Sequence, residues 1–345
     1  MALPDYIAAI PKVELHVHIE GSIRPETLLA LAKRHHIALP VTSLAKLRKW
    51  YQFTDFAHFV QVYYTISSCL RTPDDIETIT REFLAGQAAQ NIRYSEATFT
   101  PYVHFAERGI PFTEQLAAIS RARAWAAQTL GVSMGLVLDI DRAMTADEGL
   151  MVADWAIGAM DAGVVALGLG GNEVGNPPEK HRAAFARAQA AGLASVPHAG
   201  ETVGPTSIWG ALQALNAQRI GHGVRCLEDA ALVEELRHRQ TPLEVCPTSN
   251  VCLGVVPSLA RHPLPTLLDA GLFVTLGSDD PPMFNTTLTK EYQAAAATFA
   301  LGVQQIEQLV LNGVRASLLP PAERNRLEGE FSAEFARLRT EHGLT

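Results

Sequence analysis

The chain has 345 residues, of which 48% are hydrophobic and 19% charged, and this composition excludes a disordered protein. The net charge of −8, without runs of like charge, disfavours nucleic-acid binding. The apolar stretches are too short to cross a membrane, and the first residues lack the pattern of a secretory signal. Four cysteines without CxxC spacing are typical of reduced thiols, so we expect a cytoplasmic protein with no nucleic-acid or membrane partner.

Eight short runs rich in Val, Ile and Leu predict β-strands, and longer segments with helical periodicity separate them. The predicted strands cover residues 13–19, 93–98, 133–140, 164–169, 194–198, 219–223, 242–246 and 273–276. The predicted helices between them cover residues 74–90, 113–129, 146–162, 179–191, 228–240 and 264–270. Strands that alternate with helices in this way pair in parallel through right-handed crossovers.

Eight such units favour a closed barrel over an open doubly wound sheet. The glycine-rich run at 168–171 lacks the GxGxxG spacing that the open alternative would often carry. No segment rich in Pro, Gly or Ser is long enough to divide domains. We therefore predict the α/β class, with a (β/α)8 TIM barrel that forms one domain over residues 1–345.

One insertion interrupts the alternation. Between the first two predicted strands, further helices are predicted at 25–35, 44–51 and 55–67. Residues inserted after the carboxyl end of a barrel strand lie above the barrel mouth. The insertion contains aromatic side chains that either form a lid over a flat ligand or belong to the ordinary core. They are Trp50, Phe53, Phe56, Phe59, Tyr63 and Tyr64.

His16 and His18 lie at the end of the first predicted strand and are separated by one residue. Alternate side chains of a strand point to the same side, so both imidazoles can bind one metal ion. The pair alone is weak evidence, because a chain with 12 histidines contains such pairs by chance.

Further candidate groups also fall at predicted strand ends, and a barrel brings all of these ends to one mouth. Each residue alone is compatible with a hydrogen-bonded core side chain, whereas the set favours a functional site. Imidazoles together with a carboxylate are typical ligands of a borderline divalent cation. Cys246 has no histidine beside it in the sequence, so we interpret it as structural. The further candidates are His198, Glu201, His222, Asp279 and Asp280.

With these groups in place, the chain resembles the adenosine/adenine deaminases of the amidohydrolase superfamily over nearly its whole length. Several motifs in the same order make the resemblance specific. The HxE and PCxxC pattern of the cytidine-deaminase type of zinc site is absent. The matching segments are PKVELHVH (11–18), GGNE (170–173), HAGE (198–201), RIGHG (219–223), CPTSN (246–250) and SDDP (278–281).

The resemblance implies a barrel that binds one Zn2+ per chain and deaminates a small-molecule purine nucleoside by hydrolysis. Glu201 would protonate N1 of the purine and transfer the proton of the metal-bound water. His222 would position the hydroxide that attacks C6, so that ammonia leaves and a 6-oxopurine forms. The implied zinc ligands are His16, His18, His198 and Asp279.

The implied substrate contacts are Asp280 with N7, the backbone of Gly171 with N3, and Glu20 with the 5′ end of the sugar, with His18 close to the substrate. Adenosine deaminases usually have Asp at the position of Glu20. Adenine deaminases of the family carry Glu there, as do relatives that act on 5′-modified adenosines such as aminodeoxyfutalosine. The GGNE segment also departs from the more usual AGDE.

Two features favour a nucleoside over the free base. Ile220 stands before Gly221-His222-Gly223, whereas adenine deaminases tend to show Asp-His-Gly at this point. Residues 247–250 are similar to those of the nucleoside enzymes. We expect adenosine or a 5′-modified adenosine as the substrate, with aminodeoxyfutalosine and free adenine as alternatives.

The sequence is less compatible with two other classes of protein. A two-metal hydrolase of the same superfamily would often carry a lysine at the end of the fourth strand, and none occurs there. A non-catalytic nucleoside-binding protein would be expected to lose the acid–base pair, yet Glu201 and His222 are both present.

Overall fold

Eight parallel strands form one continuous sheet in the computed structural model, which describes residues 2–344. The sheet order follows the chain, and each strand pairs in parallel with the next, so the predicted (β/α)8 barrel is confirmed. The predicted domain limits, Met1 and Thr345, lie outside the described residues. The strands are β1 Lys12–His18, β2 Ile92–Phe99, β3 Ser133–Asp141, β4 Val164–Gly170, β5 Ala194–Ala199, β6 Ile220–His222, β7 Leu243–Val245 and β8 Val274–Leu276.

The barrel closes between β1 and the segment after β8. Val17 and Asp279 form a parallel bridge at this closure. The amide of His18 donates to the carbonyl of Asp279 over 2.9 Å, and the amide of Asp279 donates to the carbonyl of His16 over 3.1 Å. The first and last strands are thus joined next to the residues that the sequence proposes as metal ligands.

Helices connect the strands and surround the barrel. Several begin where the sequence supplies a cap: Thr72 with Asp75, and Thr145 with Glu148, form capping boxes. Within residues 2–344, no helix is both long and apolar enough to cross a bilayer. The helices are α1 Ala2–Ala9, α2 Pro25–Arg34, α3 Leu44–Trp50, α4 Phe56–Ser67, α5 Pro73–Ala89, α6 Pro101–Arg108, α7 Phe112–Thr129, α8 Ala146–Gly158, α9 Arg182–Ala190, α10 Pro205–Ala214, α11 Ala230–Arg239, α12 Pro247–Cys252, α13 Leu264–Asp269, α14 Pro281–Phe284, α15 Leu288–Phe299, α16 Val303–Ala316 and α17 Pro321–Glu341.

The predicted insertion between β1 and β2 forms α2, α3 and α4. Phe56, Phe59, Tyr63 and Tyr64 of α4 line the main cavity at the barrel mouth. Phe59 also belongs to the hydrophobic core, and Trp50, Phe53, Phe56 and Tyr63 pack against it. The segment therefore combines core packing with lining of the cavity, and its action as a lid stays a prediction.

Two large hydrophobic clusters fill the space between the barrel and its helices. The barrel interior also contains buried charged groups. Arg219 forms ion pairs with Glu96, at 2.6 Å, and with Glu244, at 2.5 Å, and all three side chains are buried. At the end of the barrel opposite the mouth, the ammonium group of Lys12 donates to three backbone carbonyls. Buried charges of this kind are tolerated because they are paired or hydrogen-bonded.

Candidate active site

The four proposed metal ligands converge at the carboxyl ends of the strands. Asp279 Oδ1 lies 3.3 Å from His16 Nε2 and 3.2 Å from His18 Nε2. His18 Nε2 lies 3.2 Å from His198 Nε2. One ligand atom from each of these four residues lies within 4.8 Å of every other. Residues that are far apart in the chain therefore form one cluster.

The chemistry of the cluster fits a zinc ion. Zn–N bonds of about 2.0–2.1 Å imply ligand atoms roughly 3.3 Å apart in a tetrahedron, which matches the separations above. His16 Nδ1 lies 2.9 Å from Glu244 Oε2, and His198 Nδ1 lies 3.0 Å from the carbonyl of Leu169. These acceptors place the proton on Nδ1 and leave Nε2 of each ring free to bind metal. His16 Nε2 is buried and has no hydrogen-bond partner among the described residues.

At two of the candidate site residues, the backbone is in a conformation that non-glycine residues seldom adopt. His222 has φ of 60° and Asp279 has φ of 62°, both in the left-handed region. Such conformations cost roughly 1–3 kcal/mol and cluster at functional sites. At Gly221 a Cβ atom would lie 2.8 Å from Cε1 of His16, so the absent side chain leaves room for the cluster.

Glu201 and His222 lie beside the cluster, where an acid–base pair is expected. His222 Nε2 lies 3.6 Å from Glu201 Oε1, which has no hydrogen-bond partner in residues 2–344. Burial raises the pKa of Glu201 well above its ordinary value, and the carboxylates of Asp279 and Glu173 add to this shift. Burial lowers the pKa of His222 to about 4. Both shifts favour the uncharged forms, a protonated carboxyl and a neutral imidazole.

The loop that carries Glu201 is fixed by Glu173. Its carboxylate accepts hydrogen bonds from the amides of Gly200, Glu201, Thr202 and Val203 at 2.6–3.1 Å. The backbone after β5 is thereby wrapped around one buried acid. This arrangement sets the direction in which the Glu201 side chain leaves the loop.

A chain of hydrogen bonds sets the tautomer of His222. The amide of Leu264 donates to His262 Nδ1 over 3.1 Å, so the proton of His262 is on Nε2. That nitrogen lies 3.1 Å from Asn250 Oδ1 and donates to it. Asn250 Nδ2 then donates to His222 Nδ1 over 3.4 Å. His222 consequently carries its proton on Nε2, the nitrogen that faces Glu201 and Asp279.

The proposed substrate contacts all line the same cavity. Gly171, Asp280, Glu20 and His18 are among its lining residues. Asp280 Oδ1 and Glu20 Oε2 are buried and have no hydrogen-bond partner in the described part of the chain. Glu20 Oε1 accepts from the amide of Thr100, at 2.9 Å, and lies 3.2 Å from His104 Nε2. Polar atoms without partners in a closed cavity indicate ligand binding.

Cys246 is buried, in agreement with a structural role, but it lies closer to the site than its sequence position indicated. Its thiol belongs to a second possible ligand group with His16, His222 and Asp279. Burial raises the pKa of Cys246 well above its ordinary value, so the thiol is protonated.

Sequence reasoning missed the residues that support the site. His104 and His262 do not stand in any of the motifs singled out above, yet the first lines the cavity and the second contacts His222 through Asn250. Glu244 and Glu173 were not singled out at all. One signal was available for Glu244, since it stands at the end of a strand two residues before Cys246.

Comparisons with known proteins agree with this geometry. The family model described as adenosine deaminase matches residues 11–333. A curated aminodeoxyfutalosine deaminase of Streptomyces avermitilis is 41% identical over 97% of this chain and 94% of its own length. The crystal structure of adenine deaminase from Arthrobacter aurescens has a TM-score of 0.90 at 38% identity, covering 94% of this chain and 99% of that chain. An amidohydrolase from Burkholderia ambifaria with bound Zn has a TM-score of 0.92 at 26% identity, covering 100% and 95%.

The family match spans most of the chain, and the relative from Streptomyces covers nearly all of it. The resemblance inferred from the motifs is confirmed. The chain belongs to the adenosine deaminase family of the amidohydrolase superfamily and is an aminohydrolase that acts on C–N bonds.

Proposed function

We propose that this enzyme is a zinc-dependent deaminase of an adenine nucleoside, either adenosine or a 5′-modified adenosine. The products would be the corresponding 6-oxopurine nucleoside and ammonia. The observation that carries the proposal is the position of Glu201 and His222 beside the cluster of His16, His18, His198 and Asp279.

The residues present fit one zinc ion, held by those three histidines and Asp279. Zinc bound there would act as a Lewis acid on the attacking water. The orientation of His16 by Glu244 and of His198 by the carbonyl of Leu169 supports this assignment. The bound Zn in the relative from Burkholderia ambifaria supports the choice of metal.

The remaining chemistry belongs to the side chains. Glu201, whose protonated form is favoured by burial, would donate to N1 of the adenine and make C6 more electrophilic. The Nε2 proton of His222 would hydrogen-bond the oxygen that attacks C6 and stabilise the charge that develops on it. Asp280, next to the candidate ligand Asp279, would contact N7, and the backbone of Gly171 would contact N3.

The extent of the cavity supports a nucleoside. Its lining continues from the metal cluster to Phe56, Val60 and Tyr64 of α4 and to Val103 of α6. A purine ring placed against Asp280 and Gly171 does not need these more distant walls. A sugar attached to the ring would use them, and Glu20 also lines this cavity.

Free adenine is the second candidate. It is favoured by the 38% identity and TM-score of 0.90 to the adenine deaminase from Arthrobacter aurescens. The aminodeoxyfutalosine deaminase of Streptomyces avermitilis, in turn, supports a 5′-modified nucleoside.

The test is a substrate panel with zinc-loaded enzyme. Adenosine, 5′-modified adenosines and adenine are supplied separately, and both ammonia release and the loss of adenine absorbance are followed. We expect the highest kcat/KM for a nucleoside, with one zinc per chain by elemental analysis. A higher kcat/KM for free adenine than for every nucleoside would favour the second candidate. No ammonia from any of these substrates would contradict the proposed function.

A further inference from the structure

One acidic side chain in the cavity has no part in the chemistry above. Asp139, near the end of β3, lines the cavity with only 3% of its surface exposed. Its Oδ1 atom is buried and has no hydrogen-bond partner in residues 2–344. A buried carboxylate oxygen without a partner costs stability, and a ligand that donates a hydrogen bond to it would remove that cost.

The glycine-rich run of β4 makes room for this carboxyl group. Asp139 pairs in register with Gly168 on the neighbouring strand. A Cβ atom at Gly168 would lie 2.6 Å from Asp139 Oδ1, and a Cβ at Gly170 would lie 2.5 Å from Oδ2. Any larger residue at either position would displace the side chain. The run has the wrong spacing for a dinucleotide, and its role here is to form a pocket for an acid.

Two further polar atoms without partners belong to residues that line the same cavity as Asp139. Glu20 Oε2 and the hydroxyl of Tyr63 are both buried and without hydrogen-bond partners among the described residues. Burial raises the pKa of Asp139 to about 7, and the negative charges of Asp141 and Glu20 add to the shift. The cavity is therefore rich in acceptors, and its lining contains no Lys or Arg in the described chain. A neutral group with hydroxyl donors is the ligand that suits such a cavity.

The position of Asp139 indicates which part of a substrate it would meet. Its Oδ2 lies against Gly170, the neighbour of Gly171, whose backbone is proposed to contact N3 of the purine. In a purine, N3 and N9 are both attached to C4, and the sugar is carried on N9. Asp139 thus lies on the side of the ring from which the sugar extends.

We propose that Asp139 is a specificity-determining residue that hydrogen-bonds the 2′- and 3′-hydroxyl groups of the ribose, within the nucleoside deamination proposed above. Both protonation states serve this role, because a carboxylate accepts from a hydroxyl and a carboxylic acid can also donate to one.

The experiment is a double-substitution cycle between the side chain and the sugar. Kinetics of the zinc-loaded wild type and Asp139→Ala are measured with adenosine, 2′,3′-dideoxyadenosine and adenine. We expect Asp139→Ala to raise KM for adenosine by about tenfold to a hundredfold, the effect of losing a hydrogen bond to a charged group, with little change in kcat. KM for the dideoxynucleoside and for adenine should change by no more than about twofold, because both lack the partner hydroxyls.

A second variant and a second measurement keep the test independent of folding and turnover. Gly170→Ala should displace the carboxyl group and reproduce the selective loss with Asp139 still present. Asp139→Ala should not lower Tm, because a buried unpartnered carboxyl is removed. Titration calorimetry with inosine and hypoxanthine should give the same selectivity without catalysis, with weaker binding of inosine only.

Equal effects of Asp139→Ala on adenosine and dideoxyadenosine, or no effect on either, would overturn the assignment while leaving the deaminase proposal intact. Absence of turnover by the wild type on every substrate would instead reject the deaminase proposal. In that case the calorimetric comparison of inosine with hypoxanthine still decides the role of Asp139.

Discussion

The two ends of the barrel differ in whether their buried polar groups have hydrogen-bond partners. At the mouth, His16 Nε2, Glu201 Oε1 and Asp280 Oδ1 are buried without hydrogen-bond partners in the described chain. At the opposite end, Lys12 donates to the three backbone carbonyls of Ala8, Ile10 and Gln90. Unmet hydrogen bonds mark the end where a ligand completes the structure, whereas satisfied ones stabilise the fold alone. Substitutions at the mouth should therefore change activity, and substitutions at the far end should change stability.

The largest effect is expected at the mouth. Glu201→Gln should reduce kcat by at least about a hundredfold, because the amide cannot donate and accept the proton required at N1. Zinc content should remain at the wild-type value, since Glu201 is not among the four proposed ligands. Steady-state kinetics and elemental analysis of the same preparation check both statements. Turnover close to wild type would refute the role of Glu201.

Glu244 connects the two ends, because it contacts His16 above and Arg219 below. Glu244→Gln should weaken zinc binding by about tenfold to a hundredfold, the usual effect of losing the carboxylate behind a histidine ligand. Competition with a fluorescent chelator measures the affinity directly. An unchanged zinc affinity would show that Glu244 does not support the metal site and belongs with the residues that only stabilise the fold.

A smaller effect is expected one step further from the chemistry. His262→Phe removes the donor to Asn250, so the proton of His222 is no longer held on Nε2. We expect kcat to fall by roughly tenfold with KM nearly unchanged. His262→Gln keeps a side-chain donor and should restore most of the rate. Equal losses in both variants would mean that His262 acts by packing and not by positioning.

The smallest effect on activity is expected at the far end. Lys12→Met leaves three carbonyls without their donor and should lower the free energy of unfolding by about 1–3 kcal/mol. Urea denaturation measures this loss. With saturating zinc, kcat and KM should stay within about twofold of wild type. A large loss of activity in folded Lys12→Met would break the division between the two ends.

The sequence was sufficient for the barrel because its periodicity is local. Each strand is a short apolar run, and the alternation with helices fixes the topology. The helices after β8 were not predicted, although the spacing of Leu327, Phe331, Phe335 and Leu338 on α17 is helical. The helix predicted at 179–191 begins only at Arg182, because residues 178–181 form a 3-10 turn before it.

The site was predictable where residues stand in motifs and not where they act alone. His16, His18, His198 and Asp279 lie at strand ends, and the barrel brings such ends together. Glu244, His262 and Asp139 stand in none of the motifs and depend on contacts between residues distant in sequence. No local sequence pattern predicts which buried acid will contact which histidine, so these roles follow only from the folded structure.

The bridge between Val17 and Asp279 has a consequence for how the enzyme matures. Asp279 closes the cylinder through its backbone and supplies one of the four proposed ligands through its side chain. A nascent chain that has not reached Asp279 contains the three proposed histidine ligands but neither this carboxylate nor the bridge. The proposed metal site therefore cannot form before translation has passed Asp279.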